Sequence, residues 1–412
     1  MHRAGGTEKR GCEVPAHGGH TVVSTGRPGR RPARRRLARL VGTGSLAALI
    51  AASAAVTTGP PPAGARSACS PTAPAGCTLA KLAKALHIRI GTTVSASRLS
   101  DSAYTATLAR EFTAVTPEND FKWYAVQPAP GVWHFENADA DLQFARANHL
   151  ALKGHNLIWD QDTYTPSWVT ALDAAALQSA VATEITTEVH RYKGKVKRWD
   201  VVNEPLATLG TASAGSVFDR ELGPGWIAWA FGLAHAADPK AELWLNEYGT
   251  DWVPGKFDAL VALVQGLQAA GTPLTGVGLE THRLSATGPD TATLVGQMQT
   301  LAALGLQVSL SEVDVPVPPD APTALTDQAD AYGRIVGACL QVSACREVTV
   351  WGLDDGHTWL DHLGLFPTPT RPLLFDPSLQ PKPAYSAVRD CLARALGTAR
   401  GMTGTLPACA GS

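Results

Sequence analysis

Charge is sparse in these 412 residues. Only 17% are Asp, Glu, Lys or Arg, against 45% apolar, and the formal net charge is −1. A disordered polymer needs the opposite balance, low hydrophobicity with high net charge. The 39 Gly and 29 Pro follow no triplet period, which excludes a collagen-like chain. Leu40–Val56 is an uncharged stretch barely long enough to span a membrane, and no other stretch reads as a span. Seven cysteines are too few for a chain this long to be a disulfide-stapled miniprotein, and none forms C-x2-C. No G-x-G-x-x-G turn follows the first apolar run, and there is no H-E-x-x-H. These absences argue against a dinucleotide-binding sheet and a zinc protease.

The near-zero charge hides an asymmetry. Residues 1–65 carry ten Lys/Arg and two Asp/Glu, leaving 25 basic and 34 acidic groups, a balance of −9, on residues 66–412. An acidic body lacks the field that phosphate backbones require, so nucleic acid is not an expected partner. The arginines from Arg27 to Arg39, the Leu40–Val56 run and the small-residue sites Ala52-Ser53-Ala54 and Ala63-Gly64-Ala65 read as a secretory signal, by a general or a twin-arginine route. A membrane anchor is the alternative. With cleavage, the mature chain is secreted, extracellular and without a membrane span. Six cysteines follow the signal. Local pairing gives 69–77, 339–345 and 391–409, among fifteen arithmetically open connectivities. The expected organisation is an N-terminal extension and signal (1–65), a short Cys-bearing segment (66–78), a catalytic domain (79–395) and a tail (396–412).

Short apolar runs recur near 88–94, 113–117, 150–155, 197–202, 242–246, 275–279, 307–312 and 348–351. Helical stretches separate most of them: 136–148, 173–192, 223–237, 255–270, 289–304, 323–340 and 383–396. In the second of these, Leu177, Val181, Ile185 and Val189 form one apolar stripe, with Asp173 as N-cap. Eight strands alternating with helices predict an α/β fold, a (β/α)8 TIM barrel; an open doubly wound sheet is the alternative.

Polar residues crowd the strand ends: Glu118, Asn119 and Lys122; His155 and Trp159; Asn203 and Glu204; Asn246, Glu247 and Tyr248; Glu280 and His282; Glu312 and Asp314; Trp351, with Trp359 beyond. Parallel barrel strands all end on one face, so these residues converge. Val308, Leu310 and Glu312 share one parity, which carries an apolar face into an acid. Such a carboxylate is costly unless paired or used. Two carboxyls with flanking tryptophans and amides suit glycoside cleavage, where one protonates the leaving oxygen and the other attacks the sugar or activates water. Trp159, Trp351 and Trp359 offer flat faces to sugar C–H surfaces; Trp199 and Trp244 read as core.

These residues lie in TPENDFKW (116–123), GHNLIW (154–159), WDVVNEP (199–205), LNEY (245–248), GLETH (278–282), SEVDV (311–315), VWGLDD (350–355), RPLLFD (371–376) and PKPAY (381–385). In that order and spacing the chain resembles glycoside hydrolase family 10, the endo-1,4-β-xylanases, over roughly residues 80–390. The resemblance implies a (β/α)8 barrel cleaving with retention. It makes Glu204 the acid/base and Glu312 the nucleophile. Asn203 would bond the sugar 2-hydroxyl, and His282 and Asp314 would orient Glu312. Glu118, Asn119, Lys122, His155 and Trp159 would line the glycone side, with Tyr248, Trp351 and Trp359 around the substrate. Cys339 and Cys345 fall where many members carry a disulfide. No cofactor and no metal are implied, and the partner is a xylan-type polysaccharide or oligosaccharide met by a monomer.

Three departures stand out. Glu280 replaces the usual Gln and predicts a third, protonated carboxyl beside Glu312. Asp160 replaces a second His, in a run two residues longer than usual, and is expected to pair with Lys122; Gln161 or Asp162 would fill the Gln role of that run. Glu247 replaces the usual Asp. Because two of these lie beside the reacting sugar, another β-glycoside is the alternative substrate, cleaved from a chain end or in a plant saponin of the tomatine kind. A non-catalytic carbohydrate binder would lack Glu204 or Glu312. A metal hydrolase using His155, His282 and Asp314 lacks the usual ligand spacing.

Overall fold

Eight parallel strands close on themselves in chain order in the computed structural model: β1 (Arg89–Val94), β2 (Ala114–Pro117), β3 (Ala151–Trp159), β4 (Arg198–Asn203), β5 (Glu242–Glu247), β6 (Gly276–Leu279), β7 (Gln307–Val313) and β8 (Cys345–Val350). The structure describes residues 69–402 and Cys409, apart from 211, 288–290, 319, 320 and 322. The signal reading of residues 1–65 lies outside them. Among the described residues no helix is long and apolar enough to cross a membrane.

The helices are α1 (Leu79–Leu86), α2 (Ser102–Glu111), α3 (Glu136–Ala147), α4 (Ala174–Tyr192), α5 (Trp226–Ala237), α6 (Lys256–Ala269), α7 (Thr291–Ala303), α8 (Ala324–Leu340) and α9 (Pro383–Ala399), with shorter turns between. Asp173 caps α4 by accepting from the Ala176 N–H at 2.9 Å. The stripe Leu177, Val181, Ile185 and Val189 is fully buried. Glu184 and Glu188 of the same helix are fully buried as well, because α4 is covered on its flank by α5 as well as by the barrel.

The expected elements form, with differences. β3 does not stop at His155 but runs on to Trp159, so His155 and Asn156 are interior residues, each 1% exposed. β8 begins at Cys345 rather than 348, and α9 continues to Ala399 rather than 396. Helices α1 and α2 were not foreseen. Buried Glu111, at the end of α2, ties the two ends of the barrel domain together: its Oε2 accepts from the Leu79 N–H (3.2 Å) and from Tyr385 Oη (2.7 Å). Disulfides join Cys69–Cys77, Cys339–Cys345 and Cys391–Cys409.

Register sets the site. Trp159 pairs with Asn203, Asn203 with Asn246, and Asn246 with Gly278, one level running across β3 to β6. Glycine is required at that last position, since a Cβ on Gly278 would lie 2.0 Å from Asn246 Oδ1. Gly154 likewise leaves room for the Trp199 ring, which a Cβ would meet at 2.1 Å. Trp199 and Trp244 are core, as expected.

Candidate active site

Strand ends at the C-terminal rim bring Glu280 and Glu312 onto one amide, with Glu204 joined to it through Asn203. Asn246 Nδ2 donates to Glu312 Oε1 (2.7 Å), Asn203 Oδ1 (2.8 Å) and Glu280 Oε1 (3.0 Å), its two hydrogens shared among three acceptors. Ser311 Oγ fixes the amide's orientation by donating to Oδ1 at 2.6 Å. Asn203 Nδ2 in turn faces Glu204 Oε1 at 3.4 Å. Glu204 is thus two side chains away from Glu312 in one hydrogen-bonded chain. Its backbone is held at φ 54°, before a proline. A non-glycine residue in that region costs energy, and such residues concentrate at functional sites.

Histidines flank Glu312. His282 Nδ1 donates to Asp314 Oδ2 (2.8 Å), which also accepts from Trp359 Nε1 (2.8 Å). Its Nε2 lies 3.3 Å from Glu312 Oε2 and 3.6 Å from Glu280 Oε2. His155 Nδ1 donates to Asp200 Oδ2 (2.9 Å), with Lys153 Nζ on the same oxygen at 2.7 Å. His155 Nε2 is 3.9 Å from Glu312 Oε1. The Trp351 ring meets His155 edge-on at 5.0 Å, and Trp359 lies 4.8 Å from the His282 ring.

The electrostatics separate the carboxyls. Burial raises Glu204, and Glu312's charge adds to it; partly offset by the neighbouring Trp159 indole and then by His282 and Lys256, the result is a pKa of about 7. Burial would also raise Glu312, but His155, His282 and Lys153 outweigh it and hold that carboxyl below its ordinary value. Burial and the charges of Glu312 and Glu204 push Glu280 well above the carboxylate range. Burial lowers His282, yet Asp314 and Glu312 more than reverse it. One acid is therefore kept protonated and one ionised in the same cleft, the division that acid-assisted displacement needs.

On the neighbouring rim, Lys122 Nζ sits 3.3 Å from Asn119 Oδ1 and 4.4 Å from the centre of the Trp159 ring. Asn119 is exposed, further out than the rest. Glu118 is raised by burial, against Lys122. Tyr248 has Lys256 Nζ 3.7 Å above its ring. The same Nζ is 3.0 Å from Glu247 Oε1, and burial lifts Glu247 to about 8 against that cation.

The expected Asp160–Lys122 pair does not form. Asp160 accepts instead from Ser216 Oγ, and burial with Asp219's charge raises it to about 8. The reason is local: Ser216 caps the helix Val217–Leu222, and the same turn binds Asp162 through the Val217 N–H (2.7 Å) and Arg220 Nη2 (2.9 Å). Asp162 is thereby taken up, while Gln161 stays half-buried beside it. The longer run also lays Tyr164 on Trp159, ring centres 3.7 Å apart and nearly parallel, so one face of that tryptophan is covered. The ligand set His155, His282 and Asp314 does not assemble. The grouping of metal-ligating atoms found among the described residues is Glu280, His282 and Glu312.

Sequence reading gave Asn246, Ser311, Asp200 and Tyr164 no role. Asn246 carried a signal, a lone amide ending the apolar run Leu243–Leu245, with small residues at 278 and 311 to admit it. Tyr164's place depends on anchors 50 residues away, and no local pattern marks it.

A closed parallel barrel whose rim holds one protonated and one ionised carboxyl beside tryptophans and amides defines a glycoside-cleaving enzyme. The comparisons agree. Residues 78–391 match the profile described as Glycosyl hydrolase family 10. Endo-1,4-beta-xylanase C of Phanerodontia chrysosporium is 36% identical over 318 residues, 76% of this chain and 77% of that protein. Endo-1,4-beta-xylanase 3 of Hypocrea jecorina is 36% identical over 72% of this chain and 80% of its own. Among solved structures, xylanase 10B of Thermotoga maritima superposes with a TM-score of 0.73 at 31% identity, covering 78% of this chain and 99% of that one. Xylanase 10B of Thermotoga petrophila, solved with xylobiose, gives 0.73 at 30% identity, covering 77% and 98%. The chain belongs to glycosyl hydrolase family 10.

Proposed function

We propose that the protein is a secreted, monomeric endo-1,4-β-xylanase that cleaves internal xylosidic bonds by double displacement. The observation carrying this is the split between Glu204, held protonated up to about pH 7, and Glu312, held ionised by His155 and His282. Glu312 attacks the anomeric carbon, while Glu204 gives its proton to the departing oxygen. Glu204, now ionised, then takes a proton from the water that breaks the glycosyl–Glu312 bond. Asn203 and Asn246 hold the two carboxyls in one frame, Asn203 being placed to bond the sugar 2-hydroxyl. Asp314 orients His282, which supports the charge on Glu312. Glu118, Asn119, Lys122, His155 and Trp159 line one side of the cleft; Tyr248, Trp351 and Trp359 close round the reacting sugar. The xylanases of similar sequence and the xylobiose complex of a similar fold support xylan as substrate. The basic and apolar N-terminal segment and the three disulfides support export.

A product profile tests the reading. A mixed oligomer ladder from xylan is expected. No cleavage of xylan, with turnover of a small plant glycoside, would move the substrate to the alternative, which Glu280 and Asp160 beside the cleft keep in view. Glu312→Ala should fold and lose activity. Glu204→Ala should keep the first step on aryl glycosides with good leaving groups, which need no protonation; equal loss on all substrates would remove Glu204 from the acid role.

A further inference from the structure

We infer that Glu280, His282 and Glu312 form a site for one divalent transition-metal ion of the Zn2+ type, and that filling it shuts the enzyme off. The facing atoms of the three side chains all lie within 4.8 Å of one another. Two ligands on a tetrahedral zinc, with bonds of 2.0–2.2 Å, stand about 3.4 Å apart. His282 Nε2 is 3.3 Å from Glu312 Oε2 and 3.6 Å from Glu280 Oε2. Both separations fit that edge before any adjustment.

Each ligand is also held from behind. Asp314 takes the Nδ1 proton of His282 and so turns Nε2 toward the gap, the carboxylate–histidine arrangement that supports metal-bound imidazoles. Asn246 Nδ2 engages Oε1 of both Glu280 and Glu312, leaving the Oε2 atoms for the ion. Glu280 Oε2 faces the His282 imidazole from a residue that is only 1% exposed. One imidazole and two carboxylates suit zinc-type ions, whereas Mg2+ and Ca2+ prefer all-oxygen shells. The ion would take the place of the proton between His282 and Glu312, so binding releases protons. A fourth position stays open to water or to a sugar hydroxyl.

Inhibition rests on Glu312 being the nucleophile, since a carboxylate oxygen bound to the ion cannot attack a sugar. The binding itself does not depend on that reading. Glu280 is the ligand to vary, because Gln keeps its shape and its Asn246 contact but offers a neutral oxygen.

The test is calorimetric titration of the full protein with ZnCl2, alongside hydrolysis rates measured with and without chelator. Wild type should bind one equivalent, lose activity in step with occupancy and recover on chelation. Mg2+ at the same concentration should do neither. Glu280→Gln should weaken Zn2+ binding at least 10-fold and, relative to its own uninhibited rate, raise the half-inhibitory concentration by the same factor. His357→Ala, which removes a surface histidine paired with Asp354, should change neither. Equal affinity in wild type and Glu280→Gln, or loss of binding in His357→Ala, overturns the site. One-site binding that Glu280→Gln weakens, with activity intact, leaves the site standing and overturns both the inhibition and the role of Glu312.

Discussion

At the scale of single residues, the chemistry turns on environment rather than on residue type. Glu204, Glu280 and Glu312 are the same side chain in three states. Glu312 is ionised because histidines outweigh its burial. Glu204 and Glu280 hold protons because no cation does the same for them. Activity therefore needs pH above the lowered value of Glu312 and is lost as Glu204 gives up its proton near 7, which puts the alkaline limb of the kcat/KM profile there. Glu280, raised by burial and by the charges of Glu312 and Glu204, is coupled to that titration, since neighbouring carboxyls titrate as a set. Glu280→Gln removes a carboxyl that becomes a negative neighbour only as it titrates, so the upper part of the alkaline limb should move in a rate profile on an aryl xylobioside. An unchanged profile would show that Glu280 takes no part in the proton distribution. The single-residue expectations that failed did so through partners remote in sequence. Asp160 was matched with Lys122 by charge, and the structure gives it Ser216, 56 positions on.

At the scale of elements, the strands were legible because each is a short apolar run ending in polar residues. β3 was cut short because His155 and Asn156 look like an end. They continue the strand inside the barrel because Asp200 on β4 receives His155. Helix α2 escaped notice because two of its four buried positions, Thr107 and Glu111, are polar, which blurs its apolar period. Two consequences belong here. Gly278→Ala places a methyl where the Asn246 amide lies; displacing that hub by about 1 Å should lower kcat/KM about 100-fold, with the far-UV spectrum preserved. Retained activity would deny Asn246 its place at the centre. In α4, burial raises Glu184 and Glu188 well above 4.5, and the two carboxyls face each other with no other hydrogen-bond partner among the described residues. With folded values raised, their contribution is fully present below the unfolded value and drains away as pH climbs through the folded ones. The pair Glu184→Gln and Glu188→Gln should thus raise Tm by about 3 °C or more near pH 9, with much less gain near pH 5. Equal shifts at both would point to packing instead.

At the scale of the molecule, the barrel turns residues dispersed from Glu118 to Trp359 into one rim, and strand order alone accounts for that convergence. The fold and the residue types of the site could be read from the sequence because both repeat with the strands. The bonds among them could not, because Asn203, Asn246, Glu280 and Glu312 come from four strands, and their contacts depend on register and on the clearance at Gly278. The account stands on Glu312 as the attacking group. A 2-fluoro-substituted xylobioside with an activated leaving group, which forms the glycosyl-enzyme but hydrolyses it slowly, examines this directly. Peptide mass spectrometry should find one adduct per chain, on Glu312. An adduct on Glu280 or another carboxyl, or none together with inverted products, would contradict it.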